Sequence, residues 1–327
     1  MIFSYSSFFS IKHEDLKINF VQNKACSLDE YLFLTHAHTD HVCNTSQKTF
    51  ATKATISLLE NRYDYNKFNF IEMEYNKPYF LKDNFKVTAL NAGHILGSSM
   101  FLFETENTSL LYTGDFNTKD SILLKGAKPV IADYLVIDST FGREEFYFKE
   151  RSLVYDDLLK KIKQDLFENK FIILAGYSLG KNQEIIAFLN KYLNITPLVD
   201  KETYRYSKIY NSNNNNLNFI LLDHNIYSSN VLVMPLSLMN RNLIKSLEHQ
   251  IYKKISPYVL TGWKYSRGAN LVNVSDHCDF NSLLDFINVV NPKKVFTIHG
   301  FTKDFANSIN YKLGIDAECV SSLNKKL

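Results

Sequence analysis

Between residues 34 and 42 the chain reads LTHAHTDHV, directly after the hydrophobic run YLFLT at 31–35. Four side chains able to bind a metal, His36, His38, Asp40 and His41, thus follow a single predicted strand. Imidazole together with carboxylate is the donor mix that suits zinc and related hydrolytic ions. So dense a pattern confines the fold: the strand has to end at a site, and further donors have to reach it from other strand ends. Three candidates do. His94 lies in NAGHILGSS (91–99) after FKVTAL, Asp115 in LLYTGDF (110–116) after SLLYT, and His299 in VFTIHG (295–300) after the last strand-like run. Each sits beside or near a glycine, and the two oxygens of Asp115 allow it to bridge two ions held about 3.5–4 Å apart.

The remaining pattern places these motifs. Short β-branched and aromatic runs fill the first 140 residues and predict strands (YLFLT, FKVTAL, MFLFE, SLLYT and YLVI at 134–137), with one helical stretch at 52–63. From about 150 the period changes. An amphipathic helix (151–169), a buried strand (FIILAGY, 171–177) and another helix (181–193) are followed by the strand-like runs NFILLD (218–223) and NVLVMPL (230–236). That alternation predicts a parallel α/β layer. NSNNNN (211–216) is a polar loop with no core to offer. The expected organisation is a β-rich domain over 1–148, an α/β insertion over 149–270 and a completing segment over 271–327 that returns to strand, helix and strand.

Composition mainly excludes. Hydrophobic residues are 45% and charged residues 22% of 327, an ordinary globular balance. No apolar run reaches the roughly 18–20 residues of a membrane helix, and the opening residues lack the features of a secretory signal. Cys26, Cys43, Cys278 and Cys319 form no CxxC pair, so a reducing, cytoplasmic setting is expected. A net charge of +3 suits a polyanionic substrate without arguing for nucleic-acid binding alone.

These residues, in this order, resemble the metallo-β-lactamase fold superfamily, whose αββα sandwich holds two metal ions in strand-end loops. The resemblance implies an α/β fold in which His36, His38 and His94 hold one ion and Asp40, His41 and His299 the other, with Asp115 bridging. The long insertion narrows it. YLVIDSTFG (134–142) supplies Asp138, and VSDHCDF (274–280) supplies His277 ahead of His299. An acidic residue, a histidine and a second histidine in that order resemble the β-CASP nucleases. DSTFG, AGYSLGKNQE (175–184), TGWKYSRG (261–268) and IHGFT look like their DNA-ligase-associated exonuclease subgroup, whose members are also labelled mRNA 3′-end processing factors. Asp138 stands where that subgroup usually has Glu, which keeps the acid.

The resemblance further implies a nuclease that hydrolyses phosphodiesters with a hydroxide activated by two divalent ions, zinc or manganese. The expected activity is a DNA exonuclease in repair, the alternative an RNA nuclease of the mRNA 3′-end processing or RNA-decay type. Nucleic acid is the expected partner, DNA favoured over RNA, with a DNA ligase and a helicase as further partners implied by the family. His277 is assigned as proton donor to the leaving oxygen, with Asp138 orienting its imidazole; Asp40 is counted with the catalytic residues as well as the ligands. Phosphate contacts are expected from Lys181 at a helix N-terminus, Arg267 and Arg143, and base stacking from Trp263 and Tyr265. His13, His224 and His249 fit no constellation. A thioester or lactam hydrolase needs neither the Asp138/His277 pair nor the insertion, and a subunit that only binds nucleic acid predicts lost ligands.

Overall fold

The computed structural model describes residues 1–5, 9–20, 31–42, 48–60, 69–223, 225–264 and 268–325. The chain forms two compact units. One comprises Met1–Asp120, Leu124–Tyr147 and His277–Leu327; the other comprises Ser121–Leu123 and Phe148–Asp276.

In the first unit, β1 (Ile2–Tyr5), β2 (Phe9–His13), β3 (Leu16–Phe20), β4 (Tyr31–Phe33), β5 (Lys48–Thr52) and β6 (Asn69–Met73) form one sheet in that order. A second sheet contains β7 (Pro78–Lys82), β8 (Phe85–Asn91), β9 (Ser99–Glu104), β10 (Ser109–Tyr112), β11 (Tyr134–Asp138), β18 (Lys294–Ile298) and β19 (Asp316–Cys319). Its spatial order is β19-β18-β11-β10-β9-β8-β7. Side chains alternate across each strand, and here both faces of the second sheet are buried. Phe101, Phe103, Leu110, Tyr112, Val136, Phe296 and Ile298 meet Phe9, Phe20, Phe33 and Phe50 of the first sheet. The opposite face, with Met100, Leu111, Leu135, Ile137 and Val295, packs on α6 (Phe280–Val290) and α7 (Thr302–Leu313). Burial on both faces is why these strands read as continuous apolar runs. Phe20 and Tyr112 stack across the sandwich with ring centroids 3.8 Å apart, and each such buried ring contributes about 1.5–3 kcal/mol of transfer free energy. With α1 (Lys53–Glu60) against β5 and β6, the layers run αββα.

The second unit is an all-parallel sheet of order β14-β13-β15-β12-β16-β17. Its strands are β12 (Phe171–Gly176), β13 (Leu198–Val199), β14 (Ile220–Leu221), β15 (Val231–Pro235), β16 (Ile255–Thr261) and β17 (Asn270–Asn273). Its helices are α2 (Arg151–Phe167), α3 (Lys181–Leu193), α4 (Lys201–Ser212) and α5 (Arg241–Ile251). Phe171, Ile173 and Ala175 of β12 pack with Leu247 and Ile251 of α5. The strand at 270–273 pairs with β16, so this sheet's last strand lies just beyond residue 270. In the asparagine run, the Asn213 and Asn215 amides donate to the carbonyls of Ile209 and Tyr210 and close the end of α4. No helix among the described residues is long and apolar enough to cross a membrane.

Candidate active site

The site is built at strand ends within the first unit. After β4 the chain enters the histidine loop, which is pinned by Leu34 N–H to Phe50 O (2.9 Å) and by Ser99 N–H to Thr35 O (2.7 Å). Thr39–His41 forms a single 3-10 turn. After β8, the Ser98 hydroxyl accepts from the N–H groups of His94 (3.1 Å) and Ile95 (3.2 Å), which fixes the loop carrying the His94 imidazole. Asp115 follows Gly114, whose φ is +54° and whose missing Cβ would lie 2.6 Å from the Thr35 side chain. Only glycine fits there. After β18, His299 adopts φ +59°, and the Ser139 hydroxyl donates to the carbonyls of Ile298 and His299 at 2.9 and 2.5 Å.

Three overlapping groups of ligand atoms result, each within 4.8 Å: His36, His38, His94 and Asp115; His41, Asp115 and His299; and Asp115, Asp138 and His277. Asp115 belongs to all three. Asp40 joins none of them; its side chain is largely exposed, with Oδ2 3.7 Å from His41 Nε2. The donors lie in a state suited to a cation. His36 is fully buried, its Nδ1 3.0 Å from the Thr35 hydroxyl, while its Nε2 and Asp115 Oδ1 are buried without a hydrogen-bond partner. An orphaned buried polar atom costs about 1–3 kcal/mol, and a shared positive ion removes that cost. Burial, reinforced by the neighbouring imidazoles His41, His94, His38 and His277, holds the His36 ring far below its ordinary pKa. Burial likewise lowers His41 and His299. These rings therefore present lone pairs rather than protons, as ligation requires. Burial raises Asp115, against the opposing charge of His277 and His299.

Beside this centre, His277 Nδ1 lies 2.8 Å from Asp138 Oδ2, and His277 Nε2 lies 3.9 Å from Asp115 Oδ2. Asp138 is almost completely buried, and its Oδ1 accepts from both the N–H (2.9 Å) and the hydroxyl (2.7 Å) of Thr140. Thr140 and Thr35 were not singled out as candidates in the sequence. The signal was a hydroxyl adjacent to a proposed ligand (THAH) or two residues after a proposed acid (DST).

The expected phosphate contacts fare differently. Lys181 does not offer an ammonium to solvent. It is 2% exposed, and its Nζ lies 2.5 Å from Asp276 Oδ1 and 3.5 Å from Glu184 Oε2. Gly176 leaves room for its stem, and the charge is neutralised within the second unit. Arg143 is half-exposed, with Nε on Asp304 Oδ2 (2.6 Å) and its guanidinium 4.0 Å above the Phe301 ring. Arg267 and Tyr265 lie outside the described residues, as do His224, Cys26 and Cys43. Trp263 is 39% exposed just after β16. Cys278 is buried, and burial pushes its thiol up to about 12, leaving it inert beside the site.

Residues 269–320 match the family described as RMMBL, the Zn-dependent metallo-hydrolase RNA specificity domain. Over 305 residues the chain is 27% identical to a "Probable DNA ligase" of Opitutus terrae, covering 90% of this chain and 29% of that protein. It is 24% identical over 265 residues to the "DNA cross-link repair protein pso2/snm1" of Schizosaccharomyces pombe, covering 76% of this chain and 47% of the relative. Over 112 residues, 33% of this chain and 14% of the relative, it is 35% identical to "Cleavage and polyadenylation specificity factor subunit 3" of Dictyostelium discoideum. The chain thus spans less than half the length of each of these relatives. A crystal structure of a protein of unknown function from Enterococcus faecalis V583 shares the fold, with a TM-score of 0.63 and 12% identity over 92% of this chain and 94% of that one.

Proposed function

The chain belongs to the metallo-β-lactamase-fold β-CASP nucleases, and from that premise we propose that it is a metal-dependent phosphodiesterase that degrades DNA from an end during repair. The observation that carries the phosphodiester reading is the Asp138–His277 pair, 2.8 Å apart, beside a cluster of ligating imidazoles. A hydrolase that expels a thiolate, which leaves readily as the anion, has no need of it. Phosphodiester cleavage releases an alkoxide, which needs a proton as it departs.

His36, His38, His94 and Asp115 would hold one divalent ion, zinc or manganese, and His41, Asp115 and His299 a second, which Asp40, outside the cluster with Oδ2 3.7 Å from His41 Nε2, could reach only by turning inward. When bound, such ions lower the pKa of water and neutralise charge on non-bridging phosphate oxygens. The protein's own share is orientation and proton delivery. Asp138, fixed by Thr140, holds Nδ1–H of His277, so Nε2 is the nitrogen turned toward the centre and the one that protonates the leaving oxygen. Thr35 takes Nδ1–H of His36 and so keeps the Nε2 lone pair available, the usual way a neighbour sets a ligand's tautomer.

DNA is favoured because the Opitutus relative, matched over 90% of this chain, is named a DNA ligase, and the fission-yeast relative a DNA cross-link repair protein. The same match supports a ligase as functional partner, since the counterpart of this chain occupies 29% of that longer protein. An RNA nuclease with the same machinery is the second reading. It is supported by the RNA specificity domain matched over 269–320, which contains His277 and His299. End-labelled single- and double-stranded DNA and RNA, incubated side by side with zinc or manganese, test the proposal. Stepwise shortening of DNA is expected. Preference for RNA, or cuts at internal positions only, overturns the DNA exonuclease reading.

A further inference from the structure

In the second unit, β15, β12 and β16 are adjacent and parallel, so the segments leading into them share one edge of the sheet. Each of those segments carries an aromatic side chain turned out to solvent. Phe167, before β12, is 92% exposed, Tyr252, before β16, is 92% exposed, and Tyr227, before β15, is 69% exposed. The three segments are tied together. Phe171 N–H donates to Lys254 O and Ile172 N–H to Asn230 O, both at 2.9 Å, and the Tyr227 hydroxyl donates to Gln250 O at 2.9 Å. Lys253 Nζ reaches Asn230 Oδ1 at 2.8 Å.

The charge that the 225–264 stretch brings to this edge is mostly positive. From 225 to 264 the chain has five Lys or Arg residues and a single acidic one, Glu248, whose Oε1 is occupied by Ile255 N–H (3.1 Å). Arg241, Lys245 and His249 follow one another at four-residue steps along α5, all exposed, and so share one face of the helix that Tyr252 ends. Lys170, Glu248, Tyr252, Lys253, Lys254 and Asn270 line a concavity of about 650 Å³; of its cations only Lys170 is neutralised among the described residues, by Asp165 and Glu168.

Tyr252 has a further peculiarity. It ends α5 in the left-handed conformation, φ +54°, where α3, α6 and α7 use Asn194, Asn291 and Gly314. A tyrosine is a poor choice at such a position, and with its ring almost wholly in water it gains no packing in return. Open aromatic faces interleaved with lysines that no carboxylate neutralises are what a single nucleic-acid strand requires, stacking for its bases and cations for its phosphates.

We propose that this strand-start edge, centred on Tyr252, Phe167, Lys253 and Lys254, is a second binding site that holds a single strand of nucleic acid. The proposal rests on the nuclease reading for its choice of polyanion, but not on the catalytic residues. Its test is fluorescence anisotropy with labelled 30-residue phosphorothioate DNA and RNA strands, which resist hydrolysis, at low and moderate salt. Tyr252→Asn and Phe167→Ala should each weaken binding by roughly fivefold or more, and Lys253→Glu with Lys254→Glu should also flatten its salt dependence. Tyr252→Asn should at the same time keep or raise the thermal midpoint, because asparagine tolerates the left-handed conformation. A merely structural tyrosine would behave in the opposite way. Wild-type affinity in all these variants overturns the proposal, including the case in which the edge serves a protein partner. Hydrolysis of a phosphodiester tetranucleotide by the wild type, measured in parallel, reports on the nuclease reading separately.

Discussion

Replacing Asp138 with Asn tests the proposed proton donor at the cost of a single oxygen. Burial by itself would raise the Asp138 carboxyl; the charge of His277 and its hydrogen bond, with His299 and Thr140, outweigh burial and hold it down at about 2. It is therefore a carboxylate at every pH at which the protein would work. In Asp138→Asn the Oδ1 position remains tied to the two Thr140 donors, so the new Nδ2 must face His277 Nδ1. A donor then opposes a donor whenever that ring is doubly protonated. A hydrogen bond to a charged group contributes about 1.5–3 kcal/mol, equivalent to about one to two pH units at ~1.36 kcal/mol each. The sign is fixed: the carboxylate favours the protonated ring, and its loss lets the ring give up its proton at lower pH. The alkaline limb of kcat should move down by about one to two units, with a roughly 10- to 100-fold lower rate above it and a smaller difference well below it. The assay is release of an end label between pH 5 and 10, with metal content measured on the same samples. An unmoved limb, a limb displaced upward, or loss of bound metal would refute the reasoning.

Other consequences are open to measurement. Arg151 is buried with its guanidinium on Glu184 and on Ser275 O (2.6 Å), so Arg151→Met leaves Glu184 and Asp276 with less compensation. Urea titration should register a loss of about 3–5 kcal/mol, part of it recovered by adding Glu184→Gln; full stability of the single variant would contradict this. Gly114→Ala forces a Cβ against Thr35 at positive φ. We expect a loss of roughly 1–2 kcal/mol from backbone conformation alone and weaker metal retention, because Asp115 is displaced. Dialysis against a strong chelator should abolish activity and lower the thermal midpoint by exposing the uncompensated His36 Nε2 and Asp115 Oδ1. Elemental analysis before treatment should find about two ions per chain, and an unchanged midpoint would argue against a resident cation.

The parts of the site legible in the sequence were those written locally. A donor at the end of an apolar run lies at a sheet edge in almost any α/β arrangement, and so His36, His38, His41, His94, Asp115 and His299 could be read without knowing the strand order. Asp40 shows the boundary of that logic: its place in the motif is secure, but a single 3-10 turn decides which way its carboxylate faces. Lys181 meets a related boundary. A Gly-Lys at a helix start looks the same whether the amine meets a phosphate or a carboxylate, and its partner Asp276 is distant in sequence. The first strands, FSIKH and LKINF, carry lysine, serine and asparagine among their apolar residues and went unread. Their burial depends on a facing sheet that composition does not reveal. Helix α5 was missed because it buries only a narrow stripe: among its residues Leu247 and Ile251 alone are buried.

Neighbouring strands β11 and β18 have a consequence for the life of the chain on the ribosome. Asp138 and Ile298 are paired across that seam, yet the whole second unit is synthesised between them. A nascent chain that has emerged as far as β17 already carries His36, His38, His94 and Asp115, but has neither His277 nor His299. It holds the donors of one ion and lacks the acid that would release a product. On the proposed mechanism a chain that stops short of residue 277 could not complete hydrolysis, and the order in which the residues are translated would act as a safeguard for the nucleic acid around it.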